Sequence, residues 1–187
     1  AAGEAFDKIS RLLGLGYPGG PAISALAARS DRLSLPAISL PRPMLRSNTN
    51  DFSFAGLKTA VLYAWEKHQA SDRKRLQAAY ARAVEQAIVE VLVTKTVRAT
   101  RRLQPRTVTM GGGVAANQLL RQRLEGAISR LSVRYLEPNV QLATDNAAMI
   151  AVAAWLLRDL PHRLGSWRQL EVAPQLRLES MNHYGTA

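Results

Sequence analysis

The chain has 187 residues, 47% of them hydrophobic and none of them cysteine. That is enough to bury a sizeable core in one domain, or in one large domain with appendages, and it excludes a disordered chain, disulfides and thiolate metal sites. The 25 Lys+Arg against 14 Asp+Glu give a formal charge of +11, which favours nucleic acid or another polyanion as partner. The basic residues are nevertheless spread along the chain rather than gathered in one run. No apolar run approaches about 20 residues, so no membrane-spanning helix is expected. The absence of cysteine agrees with a cytoplasmic setting. The start, Ala1 to Lys8, has neither the basic nor the apolar region of a secretory signal. It lacks Met and lies inside a helical pattern, which suggests a fragment or a processed piece.

From Gly3 to Leu15 the apolar residues Phe6, Ile9, Leu12 and Leu13 recur three to four apart, with Gly14 and Gly16 as a stop, and predict an amphipathic helix. Asp7 and Lys8 lie off its apolar stripe. The Pro/Gly cluster Tyr17-Pro18-Gly19-Gly20-Pro21 reads as a loop, followed by a short helix from about Ala22 to Ala28. Residues Arg32 to Arg46 alternate loosely and carry Pro36, Pro41 and Pro43, which predicts edge strands or an extended loop. Asp51-Phe52-Ser53-Phe54 is a candidate strand, leading through Ala55-Gly56 into a helix from Leu57 to His68.

Ser71-Asp72 is expected to cap a long helix that runs to about Arg102 and is closed by Pro105. Its broad apolar surface around Ala79, Ala83, Ala87 and Val91 suggests packing on a sheet, and Lys95, Arg98, Arg101 and Arg102 suggest a solvated basic face. Thr107-Val108-Thr109 then reads as a strand entering Gly111-Gly112-Gly113, with a helix leaving at Asn117 and running to about Leu131. Ser132 to Leu136 predicts a second strand, ended by Pro138. Ala147 to Leu160 is apolar around most of its circumference and is expected to be a largely buried helix. The tail is polar and weakly patterned; Gln175 to Ser180 is a further strand candidate.

His68, His162 and His183 are isolated, with no His-x-x-x-His or His-Glu spacing, so each reads as a surface residue and not as part of a self-contained zinc site. There is no Gly-x-Ser-x-Gly elbow, no cysteine nucleophile and no Walker A loop. Two features remain. A strand–glycine–helix turn lets backbone approach a phosphate closely and aims N–H groups at it, with Asn117 offering an amide to a ribose or base; the alternative is a tight turn with no ligand. Thr144-Asp145-Asn146 enters an apolar helix, where Asp145 reads as an N-cap or as a hard metal ligand, the cap being the simpler account on these residues alone.

Together the motifs Gly3-Glu4-Ala5-Phe6-Asp7-Lys8, Tyr17-Pro18-Gly19-Gly20-Pro21, Asp51-Phe52-Ser53-Phe54, Gly56-Leu57-Lys58-Thr59, Gly112-Gly113-Val114-Ala115-Ala116-Asn117 and Thr144-Asp145-Asn146-Ala147-Ala148-Met149-Ile150 resemble, in order, the TsaD (Gcp/YgjD) family. The likeness covers essentially the whole chain. It implies a tRNA N6-adenosine threonylcarbamoyltransferase with an α/β, ASKHA (actin-like, RNase H-like) fold of two lobes. By that resemblance residues 1–160 form the nucleotide-binding second-lobe region and 161–187 a C-terminal tail. Asp7, Gly20 and Asn117 match positions that contact threonylcarbamoyl-AMP, and backbone amides around Gly112 and Gly113 would face the departing phosphate. Asp145 matches a ligand of the active-site iron or similar divalent metal. The family's other metal ligands, a His-x-x-x-His pair, and its Ser-Gly-Gly-His loop belong to the first lobe and are not in this sequence. The chain is therefore expected to be the C-terminal portion of such an enzyme, inactive alone, with tRNA and TsaB-like and TsaE-like proteins as partners. Ala55 and Ala143 are minor departures, where Ser and Cys are usual. A non-catalytic scaffold subunit of the same complex is the competing expectation. A metallopeptidase, an activity once attached to the family, lacks the His-Glu-x-x-His helix or nucleophile it would need.

Overall fold

The structure is a computed structural model and describes residues 2–30 and 35–158. By its internal contacts the chain divides into two units, Ala1–Asn146 and Ala147–Ala187. The first holds helices α1 (Ala2–Leu12), α2 (Gly19–Ser30), α3 (Ala55–Glu66), α4 (Ala70–Leu103) and α5 (Gln118–Ile128) and strands β1 (Thr107–Thr109) and β2 (Arg134–Leu136). The described part of the second holds α6 (Ala147–Leu156). The described residues are thus mostly helical with a small parallel sheet, in which Thr107 pairs with Arg134, Val108 with Tyr135 and Thr109 with Leu136. Parallel strands need a crossover, and α5 supplies it, so β1–α5–β2 is a βαβ unit with the glycine turn at its first junction.

The long α4, 34 residues and therefore about 50 Å, is the element around which the first unit packs. Its apolar face is covered by helices rather than by the expected sheet, chiefly α2 and α5. Ala81, Val84, Ala87, Ile88 and Val91 are fully buried against a cluster that includes Phe6, Ile9, Ile23, Leu57 and Val61. Trp65 meets Tyr80 edge to face at 5.0 Å, and the His68 Nε2 lies 3.0 Å from the Tyr80 hydroxyl. His68 is accordingly half-buried and partnered rather than a free surface residue. Burial raises the Tyr80 phenol above its ordinary pKa.

Several expectations change. Helix α2 starts at Gly19, earlier than Ala22, because the Asp7 carboxylate accepts the Gly19 N–H and Pro21 is tolerated in a first turn. Asp51–Phe54 is not a strand, and no strand among the described residues pairs with it; Phe54 is buried and precedes α3. Ser71 and Asp72 lie inside the first turn of α4 and its N-cap is Gln69, which uses no side-chain bond. The helix does stop as expected, through a left-handed Gln104 (φ 47°) before Pro105.

The basic residues near the end of α4 are not all solvated. Lys95 is only 1% exposed, and its Nζ donates to the Met44 carbonyl at 3.1 Å and the Ser47 hydroxyl at 2.9 Å. Arg98 donates to the carbonyls of Leu45 and Thr49. The described part of the 32–46 segment is thus an extended loop whose turn is held by cations of α4, not a pair of edge strands. Arg101 and Arg102 do face solvent.

Helix α6 has no buried residue, with Trp155 62% and Ile150 64% exposed, against the expectation of burial. The described part of its unit is one helix, and a single helix apolar on every side cannot cover itself. The tail 161–187, with His162, His183 and the candidate strand Gln175–Ser180, lies outside the described residues.

Candidate functional site

Helix α1 buries Phe6 and Ile9 and turns Asp7 toward α2. The Asp7 Oδ1 accepts the Gly19 N–H at 2.7 Å, placing a negative charge at the helix N-terminus, where the dipole favours it. Only glycine permits this docking. A Cβ on Gly19 would lie 2.5 Å from the Asp7 Cα and 2.6 Å from the Phe6 carbonyl oxygen. Gly20, one residue on, is the opposite case: nothing lies within 4 Å of where its Cβ would be.

That open space belongs to a cleft of about 1100 Å³. Asp7, Gly20, Gly113 and Asn117, which come from three separate stretches of sequence, all line it. Ser24, Arg82, Glu85 and Arg123 contribute its other polar and charged wall. Gly112 stands beside Gly113 with φ +82°, a left-handed backbone that a side chain would strain. From Gly113 the chain makes a short 3-10 turn to Ala116 before α5 begins. The glycine turn is exposed.

Asn117 caps α5. Its Oδ1 accepts the Leu120 N–H at 2.8 Å, and its Nδ2 donates to the Ser24 hydroxyl at 2.9 Å and to the Glu85 Oε1 at 2.7 Å. Arg121, four residues and about one turn further along, ties the turn to β2: it donates to the carbonyls of Ala115 and Pro138 and, at 2.8 Å, to the Glu137 Oε1. The Tyr135 hydroxyl also donates to Glu137, at 3.1 Å. Burial first, then that hydrogen bond and the neighbouring carboxylate, push the Tyr135 phenol up to about 12.

Thr144 lines the cleft too. Asp145 follows it and is exposed; Asn146, not Asp145, stands immediately before α6, and its Nδ2 donates to the Thr144 carbonyl at 2.9 Å. Among the described residues no three His, Asp or Glu side chains converge as a metal site would require. Asp145 is one carboxylate, and the residues described do not by themselves fit a divalent metal.

The structure therefore gathers four of the sequence-derived residues into one cleft and leaves Gly112 and Asp145 adjoining it in sequence. Sequence reading missed Gly19, Glu85 and Arg121. Glu85 had a signal: it falls on the stripe of Ala81, Val84 and Ile88 where an apolar residue belongs.

The cleft is thus walled by a glycine turn and by the starts of two helices, α2 and α5. Residues 1–152 match the family model for TsaD, tRNA N6-adenosine threonylcarbamoyltransferase. A protein of that description from Paracidovorax citrulli (strain AAC00-1) is 50% identical over 167 residues, 87% of this chain and 47% of the relative. Another from Ralstonia pickettii (strain 12J) is 46% identical, covering 97% of this chain and 52% of the relative. One from Thermosipho africanus (strain TCF52B) is 41% identical over 95% of this chain. The chain belongs to the TsaD family. It spans about half the length of these curated relatives.

Proposed function

We propose that this chain is the nucleotide-facing half of a tRNA N6-adenosine threonylcarbamoyltransferase, forming the second-lobe region of an ASKHA fold. The reaction moves the threonylcarbamoyl group from threonylcarbamoyl-AMP to N6 of adenosine 37 in tRNA. The adenosine nitrogen attacks the carbamoyl carbon, the bond from that carbon to the phosphate oxygen breaks, AMP leaves, and the nitrogen gives up a proton.

The observation that carries this reading is the single cleft lined by Asp7, Gly20, Gly113 and Asn117. Gly20 leaves room for the ligand; Asp7 and Asn117 frame it; the exposed turn at Gly112 and Gly113 offers backbone N–H groups to the phosphate as charge develops on leaving. The formal charge of +11 suits a tRNA substrate, since phosphate contacts supply much of the affinity for nucleic acid. Asp145 would supply one carboxylate to an iron-like divalent metal whose remaining ligands lie outside the described residues. TsaB-like and TsaE-like proteins are the proposed partners, in the cytoplasm. No helix among the described residues is long and apolar enough to cross a membrane.

The test is a chimera. The half of the Ralstonia pickettii relative that this chain does not match is fused ahead of Ala1, and threonylcarbamoyladenosine is measured by mass spectrometry in digests of tRNA incubated with threonylcarbamoyl-AMP. Modification by the chimera and none by the 187-residue chain alone is expected. Robust modification by the chain alone, or none by a folded chimera, contradicts the proposal.

A further inference from the structure

We infer that Glu85 is a positioning residue: it fixes the side-chain orientation of Asn117 and thereby sets the nucleotide-facing wall of the cleft. The inference rests on the adenylate reading of that cleft.

An asparagine amide has two N–H donors on one end and an acceptor oxygen on the other. Both Asn117 donors are engaged, one by the Glu85 Oε1 at 2.7 Å and one by the Ser24 hydroxyl at 2.9 Å, while the oxygen accepts the Leu120 N–H at 2.8 Å. Turning the amide over would set its oxygen against the Glu85 carboxylate, acceptor against acceptor, and its nitrogen against the Leu120 N–H, donor against donor. Two bonds are lost at once in a site where Glu85 is 7% and Asn117 9% exposed, and where water replaces them poorly. Glu85 and Leu120 therefore enforce one orientation from opposite sides.

Glu85 is the only acidic side chain among the buried residues of α4, flanked by Ala83, Val84, Ala87 and Ile88. Packing alone asks for an apolar residue there, because a buried carboxylate is costly unless hydrogen-bonded. Its hydrogen bond reaches a residue that lines the cleft, and Glu85 lines the cleft as well. Through one amide, α4 is linked to Ser24 of α2 and to the first turn of α5. A ligand entering between these helices meets a preset surface, which lowers the ordering cost of binding.

The experiment uses the full 187-residue chain, nitrogen-15 labelled, with AMP as the ligand, and compares Glu85→Gln with Glu85→Leu. Gln keeps an acceptor oxygen for Asn117; Leu keeps the volume and removes the acceptor. The expected result is that the Asn117 side-chain amide resonances stay dispersed in Glu85→Gln, with AMP affinity within about threefold of wild type, and collapse toward free-amide positions in Glu85→Leu, with affinity reduced about tenfold. Unchanged Asn117 resonances and unchanged affinity in a folded Glu85→Leu chain overturn the inference. Should that variant not fold, hydrogen exchange in the wild type decides. Asn117 side-chain protons are expected to be protected about 100-fold relative to those of exposed Asn48, and equal exchange overturns the inference. A wild-type chain that binds no AMP refutes the adenylate reading instead, while the resonances still report on Glu85.

Discussion

The two adjacent glycines at the start of α2 make a sharp test, because the structure gives them opposite surroundings. Adding a methyl group at Gly19 puts a carbon 2.5 Å from the Asp7 Cα, 2.6 Å from the Phe6 carbonyl oxygen and 2.7 Å from the Asp7 nitrogen. All three are backbone atoms of α1, so no side chain can swing aside; the helices must separate. Overpacking of that kind costs about 1–3 kcal/mol. Separation also stretches the 2.7 Å bond from Gly19 N–H to the Asp7 carboxylate, and a hydrogen bond to a charged group contributes about 1.5–3 kcal/mol. The gain from replacing glycine by alanine in a helix, about 1 kcal/mol, offsets part of this. Gly19→Ala should therefore lose about 1.5–5 kcal/mol, a large share of the 5–15 kcal/mol typical of a domain. Gly20→Ala meets no atom within 4 Å and should stay within about 1 kcal/mol of wild type, while weakening AMP binding by filling the cleft. Urea unfolding followed by far-ultraviolet circular dichroism reads both. Equal stability of the two variants would refute the close-docking account of Gly19.

Three further outcomes follow from the same geometry. Lys95→Met keeps the stem but removes the donor to Met44 and Ser47; a loss of about 1–3 kcal/mol and faster proteolysis between Arg42 and Thr49 are expected, and an unchanged cleavage rate would contradict the clamp. Arg121→Lys cannot reproduce a fork that reaches Ala115, Glu137 and Pro138 together, so it should cost about 1–3 kcal/mol by urea unfolding, most of it retained in high salt because two partners are carbonyls. The Tyr135 phenol, raised from 10.0 to about 12 by burial, the Glu137 hydrogen bond and the Glu137 charge, favours the folded state while protonated. That contribution is complete below pH 10, the unfolded value, and is lost as pH rises through about 12. Phenolate absorbance should show a late-titrating component that is reduced, with its latest part lost, in Tyr135→Phe, the raised Tyr80 phenol remaining.

Local elements were legible where periodicity and punctuation agreed. The apolar spacing of Phe6, Ile9 and Leu13 and the stop at Pro105 mark their helices, and Thr107–Thr109 followed by glycines marks the βα junction. What escaped was decided by distant partners. Gly19 looks like any loop glycine until Asp7, twelve residues earlier, is seen to accept its N–H. Lys95 looks solvated because its acceptors, Met44 and Ser47, lie about fifty residues away in sequence. Asp51–Phe54 alternates like a strand but has no pairing neighbour among the described residues, which no local pattern reveals. The burial of α6 was inferred from its composition, yet composition states what a helix would bury and not what lies against it. Motif resemblance named Asp7, Gly20, Gly113 and Asn117, which the structure brings to one cleft. The linkage of Ser24, Glu85 and Asn117 that shapes it was not legible in the sequence.

The central claim, that this cleft receives the adenylate, is tested most directly by titrating the labelled chain with AMP and mapping which amides shift. The largest changes should fall at Gly20, at Gly112 and Gly113, and at the Asn117 side chain, and should saturate together with one dissociation constant. No saturable change there, or changes confined to the pocket around Phe52, Thr96 and Leu103 at the other end of α4, would contradict it.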